Sequence, residues 1–186
     1  VILIHSSFTD RHIYDHLAET MVKRGLTVLN FDSRGRGKSI GKGELLDLPP
    51  DERNKTYIDA RAAVNFLSSL PGAGRIGLLG ADRGATYALR AAIEDPRVGA
   101  LTLMTTLVSD KEREDISRLE IPVFYLASEQ IEIATGGSMA KAYATTRNRG
   151  SQLLVFRGGL LGYEIFDTDK SLEPTLAKWM KEQLSR

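Results

Sequence analysis

"GLLGADRGATYALRAA" occupies residues 77–92. It begins as a short apolar run and ends in small residues, so it reads as a strand, a sharp turn and a helix. Between them, Gly80-Ala81-Asp82-Arg83-Gly84 has the spacing of a turn that presents a nucleophile, Gly-x-nucleophile-x-Gly. Glycines at both ends permit the turn that aims the central side chain out of a sheet. The backbone N–H of Arg83, at the helix start, would face a developing oxyanion. The central position holds Asp82, where a serine or cysteine is usual. The small residues that follow let the helix pack closely on the sheet.

Strand and helix signals alternate outward from this turn. "VILIH" (1–5), "LTVLNF" (26–31), "RIGLLG" (75–80), "GALTLMT" (99–105), "IPVFYLA" (121–127) and "SQLLVF" (151–156) read as strands. Helical spacing places Ile13, Leu17, Met21 and Val22 together in 13–24. It places Ile58, Ala62, Phe66 and Leu70 on one face of 56–70, which Pro71-Gly72 ends. Further helices are expected over 83–95, 136–147 and 172–185. "DSRGRGKSIGKGE" (32–44) and "LPPDERN" (48–54) read as loop, and "SDKEREDISRLE" as a short charged connection. Alternating strands and helices predict an α/β fold with a mostly parallel sheet of about six strands and helices on both faces. Such sheets collect their sites at the carboxyl ends of the strands. Here those ends are 5–7, 32–39, 80–84, 105–108, 127–132 and 157–163.

The 186 residues fit one domain, 1–186, and the 42% hydrophobic content supports a sizeable core. Lys and Arg number 25 against 24 Asp and Glu, which gives no electrostatic case for nucleic acid or an anionic membrane. No apolar run approaches the ~20 residues of a membrane span. The absence of cysteine excludes disulfides and thiolate chemistry. The chain opens inside a strand without an initiator Met. The expectation is that an N-terminal segment precedes Val1 and that the location is cytoplasmic if that segment carries no signal.

Taken together, these stretches resemble the α/β-hydrolase superfamily, most nearly small esterase-like members of the dienelactone hydrolase type, over nearly the whole chain. "VILIHSS" looks like the first core strand and oxyanion loop, and "LNFDSRGRGKS" like the family's strand followed by D-x-R-G-x-G-x-S. "DARAAVNFLSS" resembles the helix before the turn, and "RIGLLGADRGATYALRAAIEDPRVGALTLM" the turn, its helix and the next strand. "IPVFYLASE" is similar to the strand that carries the acid, and "LLVFRGGLLGYEIF" to the strand and loop that carry the histidine. The resemblance implies that the family's first two strands would lie before Val1 and that no large cap domain is present.

Carried over by position, the resemblance puts the nucleophile at Asp82. It puts the acid near Gln130 to Glu132, in a register that selects Ile131, with Glu129 and Glu132 as neighbours. It puts the histidine at Leu161. All three positions are replaced, and Ser6 follows His5 where the family's oxyanion loop has Gly. "GADRGA" also resembles the turn of haloacetate dehalogenases, in which an Asp nucleophile neighbours an Arg that binds a substrate carboxylate. An aspartate is ionised near neutral pH without help from a base. However, the ester it forms needs a histidine-activated water, and the only histidines are His5, His12 and His16.

Each residue also has a plainer role. Asp82 is read as a cap of the helix after the turn, or as an ion-pair partner of Arg83 or Arg34. Leu161 is read as packing against the sheet top. Asp32 and Arg34 are read as a charge-assisted pair in the loop, which lacks the spacing of a phosphate cradle. His12 and His16, four apart around Asp15, could share a helix face, but no third metal ligand accompanies them. His5 is read as an orienting residue, and Glu129, Glu132 and Glu164 as pocket carboxylates or surface groups.

The leading expectation is a hydrolase-fold protein whose triad positions (Asp82, Ile131, Leu161) are replaced, a pseudoenzyme with a binding or structural role. Its partner would be a small-molecule ligand, a neighbouring protein domain or another copy of the chain. It is expected to use no cofactor or metal and to bind no nucleic acid or membrane. The alternative is a hydrolase acting on ester or carbon–halide bonds. In it Asp82 is the nucleophile, Arg83 or Arg34 binds an anionic substrate, and His5 and Ser6 line the site.

Overall fold

The computed structural model describes residues 1–53, 55–159 and 164–185. Six strands form one sheet: β1 (Ile2–Ile4), β2 (Leu29–Asn30), β3 (Ile76–Ala81), β4 (Val98–Met104), β5 (Val123–Ser128) and β6 (Gln152–Phe156). Their order is β2-β1-β3-β4-β5-β6, and every neighbouring pair runs parallel. The ends of the central strands stand nearly level, with Ile4 beside Gly80, Ala81 beside Met104, and Met104 beside Leu126. The sites carried on those ends are therefore brought to one edge of the sheet.

The helices are α1 (Asp15–Lys23), α2 (Pro50–Arg53), α3 (Thr56–Ser68), α4 (Arg83–Glu94), α5 (Asp110–Ile116), α6 (Glu129–Ala134), α7 (Ser138–Thr145), α8 (Ile165–Thr168) and α9 (Leu172–Leu184). A 3-10 turn (Arg11–Tyr14) leads into α1. β3, β4 and β5 are buried along their whole length, as strands covered on both faces must be. One face packs Ile4, Leu78, Leu101 and Tyr125 against Ala60, Val64, Ala85, Ala88 and Met139 of α3, α4 and α7. The other packs Leu3, Leu79, Phe124 and Leu126 against Leu17 and Met21 of α1 and Leu176, Trp179 and Met180 of α9. Phe124 and Trp179 meet edge to face, 5.3 Å between centroids.

The sequence expectations hold for the order of elements and need correction in five places. The strand expected over 26–31 pairs only through Leu29 and Asn30, because β1 offers it just Ile2 and Leu3. The charged connection contains α5, whose start is held by a capping box between Ser109 and Glu112. α2 falls within the stretch 48–54, and α6 precedes the expected helix at 136–147. On α3 the predicted apolar face is exposed, with Phe66 56% and Ile58 38% accessible. The buried stripe is Ala60, Ala63, Val64 and Leu67, whose smaller side chains allow close approach to the sheet. Between β4 and β5 the described residues hold only α5, so no large cap domain is present there.

Candidate active site at the strand ends

The turn at Asp82 is built by steric necessity. Asp82 has φ 50° and ψ −122°, a left-handed conformation that costs a non-glycine residue roughly 1–3 kcal/mol. A Cβ on Gly80 would run into the carbonyl of Gly84, and one on Gly84 would run into Ile4 O and, at 2.6 Å, His5 O. The two glycines thus let strand, turn and helix pass within backbone contact. Asp82 N donates to Met104 O at 3.0 Å, which ties the turn to β4. Thr105, directly after that carbonyl, is the other non-glycine residue with positive φ (40°) among the described residues.

Asp82 does not cap α4. It occupies the cap position, but its side chain makes no bond to the helix amides. With φ positive, the carboxylate is carried away from the first turn. It also makes no ion pair with Arg83 or Arg34 among the described residues. Instead it accepts a hydrogen bond from Ser6 Oγ at 2.7 Å. Ser6, the residue that follows His5 at the end of β1, is therefore the one that meets the carboxylate. Beneath the turn lies Tyr14, fully buried, its phenol against the Ala81 backbone and within the field of Asp82. Burial pushes its pKa far up, so it stays a neutral phenol. Sequence reading missed Tyr14. Its one signal was an aromatic in register with Leu17 and Met21 on the buried side of α1.

His5 is buried and bonded through both ring nitrogens. Nδ1 lies 2.7 Å from Ser6 O, and Nε2 accepts from Ser33 N at 2.9 Å. A carbonyl on one side and an amide N–H on the other require the neutral tautomer with its proton on Nδ1. Burial lowers the pKa further, against the opposing pull of Ser6 O, Asp32 and Asp10. His5 is an orienting residue that ties the β1 loop to the β2 loop. His12 Nδ1 pairs with Asp15 at 2.7 Å, and His16 Nδ1 with Glu173 on α9. His12 and His16 line one cavity with Glu173, yet each imidazole has its own acidic partner, and among the described residues no group of three His, Asp or Glu side chains could hold a metal ion.

The Asp32–Arg34 pair expected from the sequence does not form. Asp32 is taken by Arg11, through its guanidinium and its backbone N–H at 2.9 Å, and by Lys38 N at 3.0 Å. Burial alone would raise the Asp32 pKa; these donors outweigh it and hold the carboxyl below its usual range. Arg34 turns to Asp59, with Nη2–Oδ1 at 2.7 Å, and to Glu52 at 3.2 Å. Its guanidinium is engaged in the loop. Arg83 is exposed and makes no ion pair among the described residues. It lines a cleft of about 240 Å³ with Ser7, Phe8, Arg53 and Tyr87.

Ile131, expected at the acid position, is half-buried on α6, and its N–H donates to Ser128 Oγ. Glu129 and Glu164 are exposed. Glu132 is buried and turned from the strand ends. Its two oxygens accept from Met139 N and Ala140 N, each at 2.9 Å, and so cap α7. The loop after β6 reaches the acid loop through Gln130 N to Gly158 O at 3.1 Å. Leu161, at the histidine position, lies outside the described residues.

No helix among the described residues is long and apolar enough to cross a membrane. A thiohydrolase of Aspergillus aculeatus is 34% identical over 101 residues, 53% of this chain; the chain spans only 30% of that relative's length. An esterase of Pyrococcus furiosus superposes with a TM-score of 0.78 at 17% identity, covering 98% of this chain and 82% of its own. A dienelactone hydrolase from Anabaena variabilis gives 0.76 at 17% identity, covering 98% and 85%. At these identities the structural likeness speaks for the fold. The profile of the alpha/beta hydrolase family, however, matches residues 1–182, and the chain belongs to that family.

Proposed function

We propose that this chain is a pseudo-hydrolase, a hydrolase-fold protein that keeps the nucleophile turn but binds ligand there without turning it over. The observation that carries this reading is the disposition of imidazoles. Asp82 meets Ser6, while His5, His12 and His16 are each engaged elsewhere. With Leu161 and Ile131 at the other two triad positions, none of the three imidazoles is left to activate water beside Asp82. That forfeits a factor of typically about 10²–10⁴. The thiohydrolase and esterase relatives point to acyl compounds as the ligand class.

A second reading is favoured by the strain at Asp82. A carboxylate held at φ 50° without a capping bond has the placement of a nucleophile. In this reading an Asp82 oxygen attacks the electrophilic carbon, the new C–O bond forms, and the leaving group departs with the electron pair of its bond. Arg83 would then hold an anionic substrate. Release of the aspartyl ester would require water and a base, and none of the three imidazoles stands beside Asp82 to serve as one.

The test is hydrolysis of activated esters, acyl thioesters and haloacids at neutral pH by the wild type and by Asp82→Ala. The proposal expects equal, background rates from both. Turnover by the wild type more than about tenfold above Asp82→Ala would overturn it.

A further inference from the structure

We infer that the cleft beside Asp82 is a binding site for a small amphiphilic oxyanion, gripped at its head by Arg53 and Arg83 and along its tail by Phe8, Leu46 and Tyr87. The inference deepens the proposed binding role of this end of the sheet and rests on it. The cleft is lined by two arginines and by no aspartate or glutamate. Neither guanidinium has an acidic partner among the described residues. The neighbouring loop cavity is different, for there Arg34 and Lys42 are both offset by Glu52. Glu52 is adjacent to Arg53 in sequence, yet it serves Arg34 and Lys55 at 3.2 and 3.1 Å instead. Asp82 is adjacent to Arg83 and is engaged by Ser6. Two arginines that line one cleft with no acidic group in the lining leave its positive charge uncompensated, and an oxyanion bound there would offset that charge while taking charge-assisted hydrogen bonds.

The rest of the lining is apolar, and much of it is left open to water. Phe8 is 72% and Leu46 57% accessible. An apolar tail would cover both. The volume sets its length. At about 240 Å³, and roughly 30 Å³ for each water-sized unit, the cleft holds about eight non-hydrogen atoms. This lies below the range of drug-sized pockets, so the ligand is a short chain. Hexanoate, with about eight non-hydrogen atoms, meets both the size and the charge; hexyl phosphate carries the same tail under a larger and more charged head.

The experiment is calorimetric titration of the full chain with hexanoate, hexyl phosphate and 1-hexanol. It is repeated on Arg53→Gln and Arg83→Gln, whose melting curves check that both remain folded. Tighter binding of hexanoate or of hexyl phosphate than of hexanol, weakened about tenfold or more by each substitution, is the expected result. Which of the two binds more tightly identifies the head group. Equal binding of hexanol, binding indifferent to both arginines, or no binding of either anion would each overturn the inference. The proposed lack of turnover is read separately from ester hydrolysis. Anion binding together with Asp82-dependent turnover would leave the cleft standing and defeat the non-catalytic reading.

Discussion

Ser6 Oγ donates to Asp82 Oδ2 at 2.7 Å, joining two residues 76 positions apart. The sheet makes that meeting, because Ile4 and Gly80 are level on adjacent strands and each chain continues two residues past them. A family glycine at position 6 would leave the carboxylate without this hydroxyl. The two positions at which the sequence departs from the family pattern at this end of the sheet, 6 and 82, are thus in contact with each other.

Strain at the turn predicts the sign of a substitution. Asp82→Gly relieves the cost of φ 50°, roughly 1–3 kcal/mol, and incurs about 0.5–1 kcal/mol of extra chain entropy. Urea denaturation should show a gain of about 1 kcal/mol. A loss of similar size would mean that the Ser6 bond outweighs the strain.

Gly84→Ala should have the opposite effect. The added methyl meets the carbonyls of Ile4 and His5, which are fixed in or beside β1 and cannot rotate aside. Overpacking against backbone should cost about 3 kcal/mol or more, read as a lowered denaturation midpoint at unchanged slope.

The expected order of strands and helices emerged because each buried strand carries its own apolar run and each helix its own periodicity. What the sequence hid was pairing across distance. Asp32 and Arg34 sit two residues apart and read as partners, but the fold gives each a nearer one, Arg11 and Asp59, from segments that no local pattern connects to them. α3 carries two apolar stripes, and only packing chooses the one with alanines. Asp82 looked like a cap because Asp favours that position. Its positive φ, which follows from contacts of Gly80 and Gly84 with distant backbone, is what turns it outward. The residues expected at the three triad positions, Asp82, Ile131 and Leu161, could be named from the sequence alone. The engagement of every histidine elsewhere was not.

His5 predicts a pH dependence. Burial holds its folded pKa below the unfolded value of about 6.5, so the neutral ring contributes stability that is complete above that pH. As pH falls below about 6.5 and passes the folded pKa, this contribution is lost. His5→Gln should be less stable than the wild type at pH 7. The gap should narrow on acidification and should do so before Asp32, whose pKa is held low, begins to titrate below about pH 4. A pH-independent gap would show that the ring is not neutral in the folded state for the reason given.

Glu132→Ala should cost about 2 kcal/mol at neutral pH, because it leaves the Met139 and Ala140 amides at the start of α7 without acceptors. It should leave hexanoate binding at the Arg53–Arg83 cleft unchanged. A loss of binding with stability intact would return Glu132 to the list of pocket carboxylates.

The central claim is that the turn at Asp82 is retained without chemistry, and intact-protein mass spectrometry reads this most directly. The protein is incubated with haloacids and epoxides, whose electrophilic carbons would leave an ester on the aspartate, with Asp82→Ala as control. Because no base stands ready to cleave it, an aspartyl ester would accumulate if it formed at all. The account predicts an unmodified mass with every reagent. An adduct present in the wild type and absent from Asp82→Ala would contradict it and establish Asp82 as a working nucleophile.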